Sequence, residues 1–161
     1  MVAYSFQCQF VPLIEAGTKL QTMRPQRKRH ARVGEPIQLF TGMRTRACRK
    51  IIEPDPICTA VMPVTVWLDV DSAERGPYAI EEGSLLIDTP ELIEAHAAMD
   101  GFMAIGDRTA RAAMGAFWLE RYAKGIEGPI GFTGVLIRWS LASFAEERSP
   151  IAAELDELGL R

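Results

Sequence analysis

Apolar residues in this chain come mostly as short runs cut by glycine or proline, and only two longer stretches carry the three- and four-residue spacing of an extended helix. That punctuation favours many short strands with a few helices between them. Residues 2–6 read as a strand. Pro12 opens a short helix that Gly17 closes, and residues 19–24 follow as an extended segment. Pro25 and Gly34 bracket a basic loop, residues 37–40 alternate as a strand, Gly42 offers a turn, and residues 47–52 can return along it. Residues 58–70 are apolar and β-branched, with Pro63 marking an edge or a bulge. Residues 85–87 form one more short strand. Thr89 and Pro90 start a helix that Asp100-Gly101 stops, and Asp107 caps a second helix reaching Lys124, whose Met114, Phe117, Trp118 and Tyr122 recur on a core-facing stripe. Residues 131–141 close the set as a strand, and Ser149-Pro150 begins an acidic helix. Strands and helices do not alternate regularly. The expected class is therefore α+β, a small β-barrel of mixed strands with flanking α-helices, and not a doubly wound sheet. Residues 1–141 are read as one domain and residues 142–161 as a C-terminal helical extension.

The charge is unevenly spread. Positions 17–50 hold ten basic residues (Lys19, Arg24, Arg27, Lys28, Arg29, Arg32, Arg44, Arg46, Arg49 and Lys50) against Glu35 alone, within a chain of net charge -3. A cationic segment on an otherwise acidic chain suits a phosphate or polyanion meeting one face. Scattered, solvated charges are the plainer alternative.

Other chemistries find little support. Cys8, Cys48 and Cys58 lack paired zinc-ligand spacing, and His30 and His96 lack a partner one helical turn away. Asp69, Asp71 and Glu74 lack the spacing and glycine of a calcium loop. No phosphate-cradling or dinucleotide-binding glycine motif occurs. No metal and no cofactor are expected. No apolar run nears the roughly 20 residues that cross a bilayer, and the first residues lack the basic flank and apolar stretch of a secretion signal, so a cytoplasmic protein without membrane contact is expected.

The segment Gly17-Thr18-Lys19-Leu20-Gln21-Thr22-Met23-Arg24 resembles the G-x-K-x-x-T-x-R signature of ASCH domains, relatives of the PUA RNA-binding fold. Its setting adds to the match. The basic loop leads into Gly34-Glu35-Pro36-Ile37-Gln38-Leu39, which is similar to the family's glycine-acidic turn into a strand. Asp100-Gly101-Phe102 resembles its acidic-Gly-Phe element, and the stretch from Thr41 to Cys48 is similar to phage and bacterial members. The resemblance covers most of residues 1–141 and implies a PUA-like β-barrel whose cleft, lined by the signature, serves RNA binding or RNA metabolism. Some small members are amidohydrolases acting on N4-acetylcytidine through a lysine, a threonine and a glutamate. The matching catalytic positions are Lys19, Thr22 and Asp100, the last one methylene shorter than its counterpart. Other members are proposed to cut RNA with a divalent metal.

The residues themselves can be read for the same roles. Lys19 and Thr22 fall on opposite faces of a regular strand, so convergence requires a kink. A desolvated lysine could activate the threonine hydroxyl as a nucleophile while Asp100 orients it. Alternatively, Thr22 bonds a backbone turn and Lys19 meets solvent or phosphate. Arg24 suits bidentate anion binding, or an ion pair with Glu35. Arg27, Lys28, Arg29 and Arg32, with His30 among them, could extend a phosphate-binding strip, and Arg44 and Arg46 would share one face if their segment is a strand. Tyr4, Phe6, Phe40 and Phe102 could stack on bases, although core packing is their commoner fate. RNA, a nucleoside or a nucleotide is the expected partner. A nucleoside amidohydrolase is the second reading, and a phage or prophage regulatory module whose C-terminal tail docks a protein partner is the third.

Overall fold

Alternation of buried and half-buried side chains carries Val2–Phe6 into strand β1 and Ile37–Thr41 into β3, with Tyr4 and Leu39 among the buried set. In the computed structural model, which describes residues 1–122 and 128–141, these two strands pair in parallel, from Val2 opposite Ile37 to Phe6 opposite Thr41. Parallel neighbours need a crossover. Here it holds a 3₁₀ turn (Cys8–Phe10), the short helix α1 (Val11–Glu15) and strand β2 (Gln21–Arg24). The two-residue strand β4 (Arg49–Lys50) completes this sheet antiparallel to β3.

The second sheet is wholly antiparallel in the order β2-β8-β5-β6-β7. Its long members are β5 (Ile57–Leu68) and β8 (Ile130–Ser140), and β6 (Ala79–Glu82) and β7 (Leu85–Ile87) form a hairpin at one edge. Three helices accompany it: the single turn α2 (Ser72–Arg75), α3 (Pro90–Met99) and α4 (Ala110–Tyr122). The expected mixture of strands and helices is therefore present. The described strands are divided between two sheets, with no single closed barrel among them. Ile37, Leu39, Ile80, Ile93, Met114 and Leu136, all fully buried, draw both sheets, α3 and α4 onto one core. No helix among the described residues is long and apolar enough to cross a membrane.

Local details bear out some sequence expectations and correct others. Thr89 caps α3 by accepting from the Leu92 amide, with Pro90 in the first turn. Pro63 lies inside β5, but β6 pairs only with Val64–Trp67, and the Pro63 carbonyl accepts from Gly83 on that side. A residue's nitrogen and carbonyl oxygen point to the same side of a strand. The missing donor of Pro63 therefore faces the end of β6 and costs no ladder bond. Asp107 does not cap α4. Thr109 Oγ1 accepts from the Ala112 amide, and the Glu94 carboxylate on α3 reaches across to accept from the Ala110 and Arg111 amides at 2.9 and 2.7 Å. A carboxylate at the positive end of a helix satisfies free amides and the dipole together. The expected end of this helix at Lys124 and the helix in residues 142–161 lie outside the described residues. Nor are Arg44 and Arg46 on a strand. Residues 42–47 are turns, with the Thr45 amide and hydroxyl both donating to the Gly42 carbonyl, so the two arginines do not share a strand face.

Candidate nucleotide site

Gly17, at φ 72°, turns the chain out of α1, and the Thr18 and Lys19 amides both donate to the Leu13 carbonyl. Lys19 thus sits in a pinned turn before β2 begins, outside the strand alternation that would have sent it away from Thr22. The Leu20 amide donates to the Met99 carbonyl, which brings the end of α3 alongside. Gly101 then makes room. At φ 90° it has the left-handed conformation of a helix terminator, and a Cβ there would lie 2.6 Å from Lys19 Cδ and 3.0 Å from Phe10 Cδ1.

The result is a buried lysine-aspartate pair. Lys19 Nζ is 3.3 Å from Asp100 Oδ1 and donates to the Gln21 carbonyl at 2.8 Å and to the Asp100 carbonyl, with side-chain exposures of 3% and 7% for the two residues. The one-methylene-shorter carboxylate does reach the lysine. Burial pushes Lys19 below its ordinary pKa and Asp100 above its own, and each opposes the other's shift by charge and hydrogen bonding. Three acceptors around Nζ match the three donors of an ammonium, and the Phe10 ring centroid lies 4.8 Å away. These contacts favour the ammonium against the push of burial and make Lys19 an anchor between β2 and α3.

Lys19, Thr22, Arg24 and Asp100 line one cavity of about 130 Å³. Phe6, Phe10 and Phe102 wall it, together with Phe117, Trp118 and Tyr122 of α4. The α4 aromatics read from the sequence as core-facing therefore also line this cavity. Thr22 is buried and lines the cavity. Arg24 does not pair with Glu35. Its Nη2 donates to the Ser5 carbonyl at 2.7 Å, and its guanidinium lies 4.7 Å from the Phe6 ring centroid. Arg24 Nε and Trp118 Nε1 are buried donors without a partner among the described residues. Buried donors are nearly always satisfied, and both of these belong to residues that line the cavity.

Arg24 also lines a neighbouring cavity of about 510 Å³ with Tyr4, Arg27 and Arg44. The Arg27 guanidinium lies 4.5 Å from the Tyr4 ring centroid. The rest of the expected strip goes elsewhere. Arg29 bonds Glu35 at 2.6 Å, the same carboxylate accepts from the Arg32 amide, and Lys28 and Arg46 are exposed and line neither cavity. Of the proposed stacking platform, Phe6 and Phe102 face the first cavity and Tyr4 the second, while Phe40 faces neither. Asp69 accepts from the Asp71 amide and the Ser72 hydroxyl, serving the local turn.

Protein-family models, curated proteins and solved structures give no match to this chain.

A second polar cluster lies one residue from Thr22 along β2, at Gln21. Arg138 Nε donates to Gln21 Oε1 at 2.9 Å. This leaves the Gln21 amide nitrogen to donate towards His96, whose Nε2 lies 2.8 Å from Glu82 Oε1. Arg138 Nη2 in turn donates to both Glu82 oxygens, at 2.7 and 2.9 Å. The cluster joins β2, α3, β6 and β8 one helical turn before Asp100. Burial pushes the Glu82 carboxyl up, but the hydrogen bond from His96 and the Arg138 guanidinium outweigh it and hold it below its ordinary value. Nothing local in the sequence links Gln21, Glu82, His96 and Arg138.

Proposed function

We propose that this chain is an ASCH domain of the PUA-like barrel class that binds one nucleoside or nucleotide, free or within RNA, with its base in the cavity lined by Lys19, Thr22, Arg24 and Asp100. The observation that carries this reading is the convergence of that signature stretch with an aspartate 81 residues distant from Lys19 on one aromatic-walled cavity. Size argues the same way. A cavity near 150 Å³ takes a benzene ring, so about 130 Å³ is on the scale of one planar ring and not of a whole nucleotide, and a pyrimidine base seats fully only as the walls give way. The polar atoms suit cytosine, since a carboxylate accepts from an exocyclic amine while arginine, indole and hydroxyl donors answer carbonyl and ring-nitrogen acceptors. A long RNA tract is less well served, because Lys28, Arg29, Arg32 and Arg46 lie apart from the cavities.

The presence of Thr22 on the same cavity as the Lys19–Asp100 pair favours a second reading, hydrolysis of an N4-acylated cytosine. Thr22 Oγ would attack the acyl carbon and the N4–acyl bond would break, leaving the amine protonated and the acyl group on threonine for water to remove. Lys19 must first surrender a proton that three acceptors now hold. Binding is therefore placed ahead of turnover.

Calorimetric titration with cytidine should show saturable one-to-one binding, weakened about tenfold or more in Arg24→Met by loss of a charged donor. Absence of binding, or binding indifferent to Arg24, would contradict the proposal. If turnover of N4-acetylcytidine is found, Thr22→Val should abolish it while retaining cytidine affinity within about threefold, the loss of one modest hydrogen bond.

A further inference from the structure

The larger cavity beside the base pocket is lined by residues that include Tyr4, Arg24, Arg27, Met43 and Arg44, with three arginines and no acidic residue among them. Ser5, Arg24 and Pro25 line both cavities, so the two adjoin across these residues. Its volume of about 510 Å³ has room for a sugar and a phosphate. Two guanidinium groups are braced on aromatic rings, Arg24 against Phe6 and Arg27 against Tyr4, which fixes them before any ligand arrives.

Arg44 adds an independent observation. The Thr45 amide closes a turn on the Gly42 carbonyl, which makes Met43 and Arg44 its central residues, and Arg44 has φ 69°. Glycine is the usual occupant of such a position, and Arg44 is the one non-glycine residue with positive φ among the described residues. Backbone strain of this kind collects at functional sites. The strained turn delivers a third guanidinium to a cavity that already holds two.

We propose that the ligand is phosphorylated: its base fills the aromatic pocket and its phosphate lies between Arg24, Arg27 and Arg44. This rests on the base-pocket reading above and deepens it to a nucleoside monophosphate or the terminal phosphorylated nucleotide of an RNA strand. Three arginines around a cavity with no acidic residue in its lining suit a dianionic phosphomonoester better than an uncharged nucleoside.

The test titrates the full chain with cytidine, its 5′- and 3′-monophosphates and inorganic phosphate, and with short oligoribonucleotides with and without a terminal phosphate. One of the two monophosphates should bind about tenfold or more tighter than cytidine, as expected for at least one charged contact. That advantage should shrink to about twofold or less in an Arg27→Ala/Arg44→Gly double variant, in which only Arg24 of the three remains. Arg44→Gly alone removes a charge where glycine suits the backbone, so its melting temperature should equal or exceed that of wild type while the phosphate advantage falls. A terminally phosphorylated oligonucleotide that outbinds the mononucleotide identifies an RNA end as the source. One that binds more weakly identifies the free nucleotide, and either result supports a phosphorylated ligand. Equal affinity for cytidine and both monophosphates, or an advantage intact in the double variant, overturns this inference and leaves the base pocket standing. Absence of binding by cytidine and monophosphates alike overturns both.

Discussion

Lys19→Met is expected to destabilise the protein by about 3–5 kcal/mol near neutral pH, the range for removing one partner of a buried ion pair. Methionine fills similar space, so the loss comes from the polar atoms left behind. Asp100 keeps a carboxylate with 7% side-chain exposure and no cation at 3.3 Å, and the Gln21 and Asp100 carbonyls each lose a donor. The deficit should depend on pH. Burial already raises Asp100 above its ordinary value of 3.8, and loss of Lys19 removes the largest opposing influence. Between 3.8 and its raised folded value, Asp100 binds more protons in the folded than in the unfolded chain, so stability falls as pH climbs through that window. Urea denaturation should therefore show a larger gap from wild type at about pH 8 than at about pH 5. Adding Asp100→Asn should recover about 1–3 kcal/mol, the coupling expected of groups in contact. A single-variant loss below about 1 kcal/mol would mean that the pair does not hold β2 to α3.

Glu82→Gln should cost about 2–4 kcal/mol at neutral pH, a value reduced from the fully buried case because Arg138 is 29% exposed. The glutamine can offer one acceptor, but its amide protons then confront the donors of His96 or Arg138. Glu82 has a folded pKa below its ordinary 4.5, so the unfolded chain binds more protons there as pH drops. The contribution of Glu82 is present above pH 4.5 and lost as pH falls through the lower folded value. Acid titration of stability should bring wild type and variant together below that point. Parallel curves would show that the Glu82 charge does not carry the network.

Much of this organisation is legible in local sequence. Alternation marks β1 and β3, Gly17 and Gly101 mark helix ends, and Thr89-Pro90 marks the start of α3. Lys19, Thr22 and Asp100 come forward through their resemblance to a signature, whereas regular alternation alone separates the first two. What is hidden depends on long-range placement. The Glu94 cap on α4 comes from another helix, and the polar network spans Gln21 to Arg138, so neither leaves a short pattern. The basic run has a different difficulty. Charge counting cannot tell arginines braced on rings in a cavity, such as Arg24 and Arg27, from Arg29, which is held by Glu35. The stripe of Phe117, Trp118 and Tyr122 is equally ambiguous, because core packing and cavity lining use the same helical spacing.

A crystal structure of the protein soaked with cytidine 5′-monophosphate bears most directly on the proposed base site in the cavity of Lys19, Thr22, Arg24 and Asp100. The expected result is a pyrimidine ring among Phe6, Phe102 and Trp118, with polar atoms in hydrogen-bond range of Thr22, Arg24 or Asp100. A nucleotide bound on another surface while that cavity stays closed, or side chains of Lys19, Thr22 and Asp100 turned away from one another, would contradict it.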